Sequence, residues 1–94
     1  MSPIDSARIT ERKQQLHAID QDIIDLIRQR QDTVWQLRTL RRMAGLREYQ
    51  LALENEVLSH YHEALGRTGT SIALQLLSLA RSEAAGEHAA SSAA

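Results

Sequence analysis

The chain has no phenylalanine and no cysteine, and only 3% of its 94 residues are aromatic. A core would therefore be built from Leu, Ile, Val and Ala, which suit helices better than sheets. The lack of cysteine excludes a disulfide framework and a thiolate metal site. One proline and four glycines leave long stretches without a helix breaker. These absences favour an all-helical fold in one small domain.

The chain also has no large excess of charge of either sign and no long apolar run. The net charge is −1, so the field of the whole molecule gives no reason to expect binding to nucleic acid or to a membrane. No segment resembles a transmembrane helix, and the N-terminus lacks the apolar stretch of a secretion signal. We therefore expect a cytoplasmic protein with neither kind of partner.

Apolar residues spaced three and four apart predict a long first helix, from about Thr10 to Met43. Thr10 is a plausible N-cap, and Gly45 is a natural stop. Such a helix would be about 50 Å long, which is more than a compact monomer of this size can cover. We therefore expect a homodimer, most simply with two-fold symmetry. The apolar stripe consists of Leu16, Ile19, Ile23, Leu26, Ile27, Val34, Leu37 and Leu40.

Two shorter helices are expected after this first one. The second should run over about 50–65, and glycines at 66 and 69 should separate it from a third that Thr70 or Ser71 caps. The predicted domain covers residues 10–85, between a flexible arm at 1–9 and a disordered Ala/Ser-rich tail at 86–94. The expected inward positions are Leu51, Leu53 or Glu54, Val57, Leu58 and Tyr61 on the second helix and Ile72, Leu76, Leu79 and Ala80 on the third.

Arg30 stands where the apolar stripe predicts a hydrophobic residue. A guanidinium there is costly unless it is paired or bound to a ligand. Arg41, eleven residues later, lies within about 20° of the same side of the helix. Arg30 could pair with a carboxylate across the dimer or extend its stem over the core. Alternatively, both arginines bind a small dianion, since a guanidinium meets a carboxylate in a bidentate manner.

The chain resembles the all-helical chorismate mutases over about residues 10 to 88. In that family a long helix ends in a Gly-containing turn, a Val-Tyr-Asp segment follows, and an Arg–Glu pair then leads into Val-Leu. The resemblance lies in the spacing of Tyr49 and Glu54 and in the arginine ten residues after Asp20. The matching segments are Lys13–Asp20, Ile23–Ile24, Leu26–Ile27, Arg30, Gly45–Gln50 and Glu54–Leu58.

The resemblance implies an intertwined homodimer of three-helix chains, with sites shared between the subunits. It also implies an isomerase that performs the Claisen rearrangement of chorismate to prephenate, without a cofactor or a metal. Enzymes of this family bind the two substrate carboxylates with arginines and stabilise the charge that develops on the ether oxygen. Their rate enhancement thus comes from orientation of the substrate and from electrostatic preorganisation.

Site residues carry over by position. Arg30 matches a carboxylate-binding arginine, and Arg41 falls where the family has a lysine that donates to the ether oxygen. Lys13 falls where the partner subunit contributes an arginine, and Gln50 occupies the aspartate position of the Val-Tyr-Asp segment. Glu54 matches the glutamate that binds the substrate's C4 hydroxyl.

Three positions depart from the family pattern. Leu53 replaces the arginine that precedes the glutamate, and Glu83 and Glu87 fall where the family has a serine and an ether-binding glutamine. Glu87 could donate only when protonated. One explanation of these changes is a ligand with a cation, and the rearrangement of 4-amino-4-deoxychorismate to 4-amino-4-deoxyprephenate is as open as that of chorismate. Glu54 would attract the ammonium of the amino compound by on the order of 4 kcal/mol at about 4 Å and an effective dielectric near 20.

Alternatives remain open beside this isomerase hypothesis. An isochorismate-pyruvate lyase uses the same scaffold. A non-catalytic helical dimer that serves as a binding or regulatory module would account for the departures from the family's site residues. For Glu54 taken alone, the usual explanation is a solvated surface glutamate.

Overall fold

The computed structural model describes residues 2–82, and every described element is helical. Helix α1 spans Pro3–Met43 and helix α2 spans Leu51–Ser82. No strand occurs within residues 2–82, so the all-helical class is confirmed. The chain divides into two compact units, Met1–Arg30 and Gln31–Ala94.

Helix α1 begins at Pro3, earlier than the N-cap predicted at Thr10. The cause is a capping arrangement at residues 2–5. The Ser2 hydroxyl accepts a hydrogen bond from the Asp5 amide at 3.2 Å and donates one to the Asp5 carboxylate at 2.9 Å. Proline suits the first helical position because its missing N–H would be unpaired there. The expected loose arm at 1–9 is therefore helical from Pro3 onward, and the Thr10 hydroxyl bonds the Ser6 carbonyl instead.

Helix α1 ends as predicted, at Met43, and Gly45 lies in the turn that stops it. This glycine has φ 76°, the left-handed conformation that glycine adopts without a steric penalty. Its amide donates to the Arg42 carbonyl at 3.0 Å, and the Leu46 amide donates to the Arg41 carbonyl at 2.8 Å. These are the two bonds of a Schellman motif. The turn reverses the chain and leads to Gln50, whose carbonyl accepts the first amide bonds of α2.

Helix α2 contains a sharp kink where the sequence predicts a break between a second and a third helix. Gly66 leaves helical geometry there, with φ 66° and ψ −145°, a region that only glycine adopts readily. The predicted break is therefore present as a kink at Gly66, with helix on both sides of it. Thr70 does not cap the later segment, and its hydroxyl lies 3.0 Å from His62 Nδ1 across the kink.

The interior of the second unit is small. Ala73 is fully buried and Ala80 is 6% exposed, and Gly69 is buried at the kink. Val57, Leu58 and Tyr61 are half-buried, as expected of inward positions. Leu51, in contrast, is exposed. Of the inward positions predicted on the third helix, Leu76 is half-buried, whereas Ile72 and Leu79 are exposed.

Gly69 is expected to tolerate no larger side chain. A Cβ atom there would clash with the Tyr61 carbonyl oxygen and would lie 2.9 Å from the Leu65 Cβ. Alanine normally favours a helix over glycine, yet we expect Gly69→Ala to lower the free energy of unfolding by about 2 kcal/mol or more, because backbone must move. Chemical denaturation checks this, with exposed Thr68→Ala as the matched control. Unchanged stability of Gly69→Ala would contradict the close approach.

Candidate functional site

The end of α1 and the two ends of α2 assemble a polar cluster within the second unit. Its members are Arg38, Tyr49, Glu54 and Arg81. Arg38 is half-buried and donates to the Ala80 carbonyl at 3.0 Å. Its guanidinium carbon also lies 4.3 Å from the centroid of the Tyr49 ring, within the range of a cation–π interaction. Arg38 therefore ties the last turns of both helices to the connecting segment.

Glu54 is the acidic member of this cluster. Its side chain is only 19% exposed and forms an ion pair with Arg81, whose side chain is 55% exposed. The hydrogen bond from Arg81 to this carboxylate raises the pKa of the arginine above its ordinary value, and the negative charge of Glu54 adds to the effect. The guanidinium carbon of Arg81 lies 5.7 Å from the Tyr49 ring centroid. Glu54 is therefore neither solvated on the surface nor unpaired.

Arg41 is held at the start of the helix-connecting turn. It is half-buried, and its Nε donates to the Arg47 carbonyl at 2.8 Å. The two terminal nitrogens donate to no acceptor among residues 2–82. The Schellman turn that ends α1 brings the Arg47 carbonyl within reach, so the local fold orients the guanidinium. Such a group can present two N–H donors to an anion.

Neighbouring charges at the turn are paired. Arg42 donates to the Glu48 carboxylate at 2.9 Å, and the two side chains are 63% and 36% exposed. An exposed pair of this kind contributes little to stability. Arg41 differs from Arg42, because its terminal nitrogens have no partner within residues 2–82.

Arg30 and Lys13 belong to the first unit. Lys13 is exposed, whereas Arg30 is half-buried. Neither of the two ion pairs formed among residues 2–82 involves Arg30. The alternative that Arg30 pairs with a carboxylate across the dimer stays a prediction.

The remaining predicted site residues have different outcomes. Gln50 caps α2 through its backbone carbonyl, and Leu53 is 36% exposed. Glu83 and Glu87 lie outside the described residues, as does the tail at 86–94. Within residues 2–82 no group of three or more histidines and carboxylates could hold a metal ion. In the same part of the chain, no helix is long and apolar enough to cross a membrane.

Sequence reasoning missed three members of the cluster, namely Arg38, Tyr49 as a cation acceptor, and Arg81. One signal for Arg38 was available, because it lies four residues after Val34 and three before Arg41, on one side of α1. No comparable signal existed for Arg81. It pairs with a residue 27 positions away, and only the packing of α2 after its kink brings the two together.

The Arg81–Glu54 pair also changes an electrostatic argument. The sequence leaves Glu54 without the preceding arginine of the chorismate mutases, which favoured a ligand with an ammonium group. In the structure Arg81 supplies a cation to that carboxylate. An ammonium on the ligand would therefore compete with Arg81 for Glu54.

Comparisons of the chain with protein-family models, with curated proteins and with solved structures give no match. The resemblance to chorismate mutases thus depends on the spacing of the residues quoted above, and the geometry of the cluster has to support any function independently.

Proposed function

We propose that this chain is a chorismate-mutase-type isomerase that binds a small dicarboxylate in a homodimer. The observation that carries the proposal is Arg30, a half-buried cation on an apolar stripe with no ion-pair partner among residues 2–82. A guanidinium in that setting is stable when an anion neutralises it and accepts its hydrogen bonds. A ligand carboxylate meets both requirements.

Arg41 supplies the second cation of the proposed site. Its Nε is already bound to the Arg47 carbonyl, so the terminal nitrogens are oriented before a ligand arrives. In a Claisen rearrangement, the carbon–oxygen bond of the ether breaks while a carbon–carbon bond forms, and negative charge develops on the ether oxygen. Donors fixed in advance stabilise that charge more in the transition state than in the ground state. Arg41 has this role in the proposal.

The other assignments complete the proposed site. Lys13 of the partner subunit adds a cation for a ligand carboxylate, and the half-buried Glu54 binds the substituent at C4 of the ring. Glu83 and Glu87 stay predictions from the resemblance. The reaction needs no covalent intermediate, because holding the ring in its reactive conformer and stabilising the charge on the ether oxygen supply the rate enhancement.

Exposed apolar residues support the homodimer. Leu16, Ile19, Ile23 and Leu26 recur along α1 and are between 47% and 61% exposed. Four such side chains on one stripe form an apolar surface of the kind that marks an interaction site. A second copy of α1 would cover it, as the predicted length of the first helix required.

A non-catalytic helical module is the second candidate. The Arg81–Glu54 pair favours it, because Glu54 is satisfied without any ligand. The two candidates differ in turnover, which is measurable directly.

We expect purified protein to consume chorismate, seen as a fall in its absorbance at fixed pH, and to yield prephenate. Isochorismate and 4-amino-4-deoxychorismate should be assayed beside it, with pyruvate release measured for the isochorismate arm. Protein with Arg30→Ala serves as the control for contaminating activity. Pyruvate from isochorismate alone would indicate the lyase, and no turnover of any of the three would leave the non-catalytic module.

A further inference from the structure

The ion pair between Arg81 and Glu54 occupies the carboxylate that the proposed function assigns to the C4 substituent of the ligand. We infer that Arg81 is the residue that determines which ligand charge Glu54 accepts, and that with Arg81 present the site selects a neutral hydroxyl over an ammonium. This inference rests on the proposed function. It concerns a positioning residue that acts through Glu54.

The geometry gives Arg81 this role without a contact to the ligand. Glu54 is mostly buried, and Arg81, which pairs with it, is more than half exposed. Glu54 keeps its remaining lone pairs for another donor, because one carboxylate accepts about four hydrogen bonds. A hydroxyl can donate to the carboxylate while the ion pair stays intact. An ammonium brings a second positive charge toward Arg81 and loses affinity through repulsion.

Tyr49 helps to keep Arg81 over Glu54. The Arg81 guanidinium carbon lies 5.7 Å from the Tyr49 ring centroid, and the same ring accepts the Arg38 guanidinium at 4.3 Å. Arg38 is in turn bound to the Ala80 carbonyl, the residue just before Arg81. Arg38 therefore holds the backbone next to Arg81, and Tyr49 contacts the guanidinium of Arg81. Two arginines and one carboxylate leave the cluster with a net charge of +1 when Arg38, Arg81 and Glu54 are all ionised, which further disfavours an ammonium.

The test is the ratio of kcat/KM for 4-amino-4-deoxychorismate to that for chorismate. The wild-type protein should prefer chorismate. Arg81→Met removes the cation but keeps an unbranched stem, and should raise this ratio about tenfold or more. Arg81→Lys keeps the charge and should leave the ratio within about threefold of wild type, although it cannot reproduce the planar geometry.

A double-mutant cycle separates the charge effect from a structural one. In a Glu54→Gln background, Arg81→Met should change the ratio far less than in the wild type, because the carboxylate is gone. Circular dichroism establishes that each variant keeps its helical content. An unfolded Arg81→Met variant would shift the comparison to Arg81→Lys and Arg81→Gln, where Arg81→Gln should raise the ratio and Arg81→Lys should not.

The outcomes distinguish this inference from the proposed function. Wild-type turnover with a preference for the amino compound would overturn the inference and leave the isomerase standing. The same holds for a ratio that neither Arg81→Met nor Arg81→Gln raises. A wild-type protein that turns over neither compound would overturn the proposed function, and the role of Arg81 with it.

Discussion

Replacing Arg30 by alanine should lower kcat/KM for the ring dicarboxylate by about 100-fold or more, which corresponds to about 3 kcal/mol. The loss is large because the variant leaves a ligand carboxylate without its bidentate donor at a site that is partly withdrawn from water. The guanidinium of Arg30 is half-buried and has no carboxylate partner within residues 2–82, so no ion pair in that part of the chain competes with the ligand. Steady-state kinetics at saturating and limiting substrate measures the effect.

Arg28→Ala is the matched control for this experiment. Arg28 lies two positions before Arg30 on the same helix and is exposed, so the substitution removes the same charge from a different side of α1. Its kcat/KM should stay within about threefold of wild type, as expected for a solvent-screened charge. If Arg30→Ala were no worse than Arg28→Ala, the assignment of the whole site would be wrong. If Arg30→Ala gained stability with activity retained, an unliganded structural arginine would explain the residue instead.

Helix class and the main turn could be predicted because local chemistry determines them. Gly45 adopts positive φ and ends α1 through two backbone bonds, a geometry that its position after Arg41 and Arg42 already indicates. The start of α1 was predicted too late. The apolar stripe is weak before residue 16. The cap formed by Ser2 and Asp5, with Pro3 between them, lies outside any periodic pattern.

The separation of α2 from a third helix was predicted from glycine alone. Gly66 does leave helical geometry, but Gly69 stays in the helix because its missing Cβ allows the Tyr61 carbonyl to approach. Gly66 thus allows a backbone conformation that other residues avoid, whereas Gly69 leaves room for a neighbouring carbonyl group. Sequence spacing cannot tell these two uses apart, since both depend on how the segments pack.

The polar cluster shows a second limit of sequence reasoning. Glu54 could be identified as unusual from its inward position, but its partner could not. An ion pair over 27 positions is created by tertiary packing, and Arg81 carries no local pattern that distinguishes it from a solvated arginine. The electrostatic argument from Leu53 considered only the position beside Glu54, and the inference about Arg81 adds the cation that packing brings to the same carboxylate.

Replacing Ile23 by aspartate should remove cooperative folding altogether. Ile23 lies in the middle of the exposed apolar stripe of α1, with 48% of its surface accessible in a single chain. If a second copy covers this stripe, the dimer buries two new carboxylates, one from each chain. Each unpaired buried charge costs several kcal/mol, which is comparable to the whole stability of a small domain. Circular dichroism should show a large loss of helix, and sedimentation should show monomer.

Gln14→Asp provides the control, because nine residues at about 100° each place position 14 on the opposite side of the helix from position 23. It adds the same charge to a polar, exposed position and should leave helicity and the dimer intact. The wild-type melting temperature should also rise with protein concentration, as mass action requires of a dimer. A concentration-independent melting temperature, or an Ile23→Asp variant as stable as Gln14→Asp, would contradict the dimer. Arg30 follows Ile23 by two helical turns on this same stripe. In the proposed dimer, the surface that binds the second chain would therefore also contain the arginine that binds the ligand.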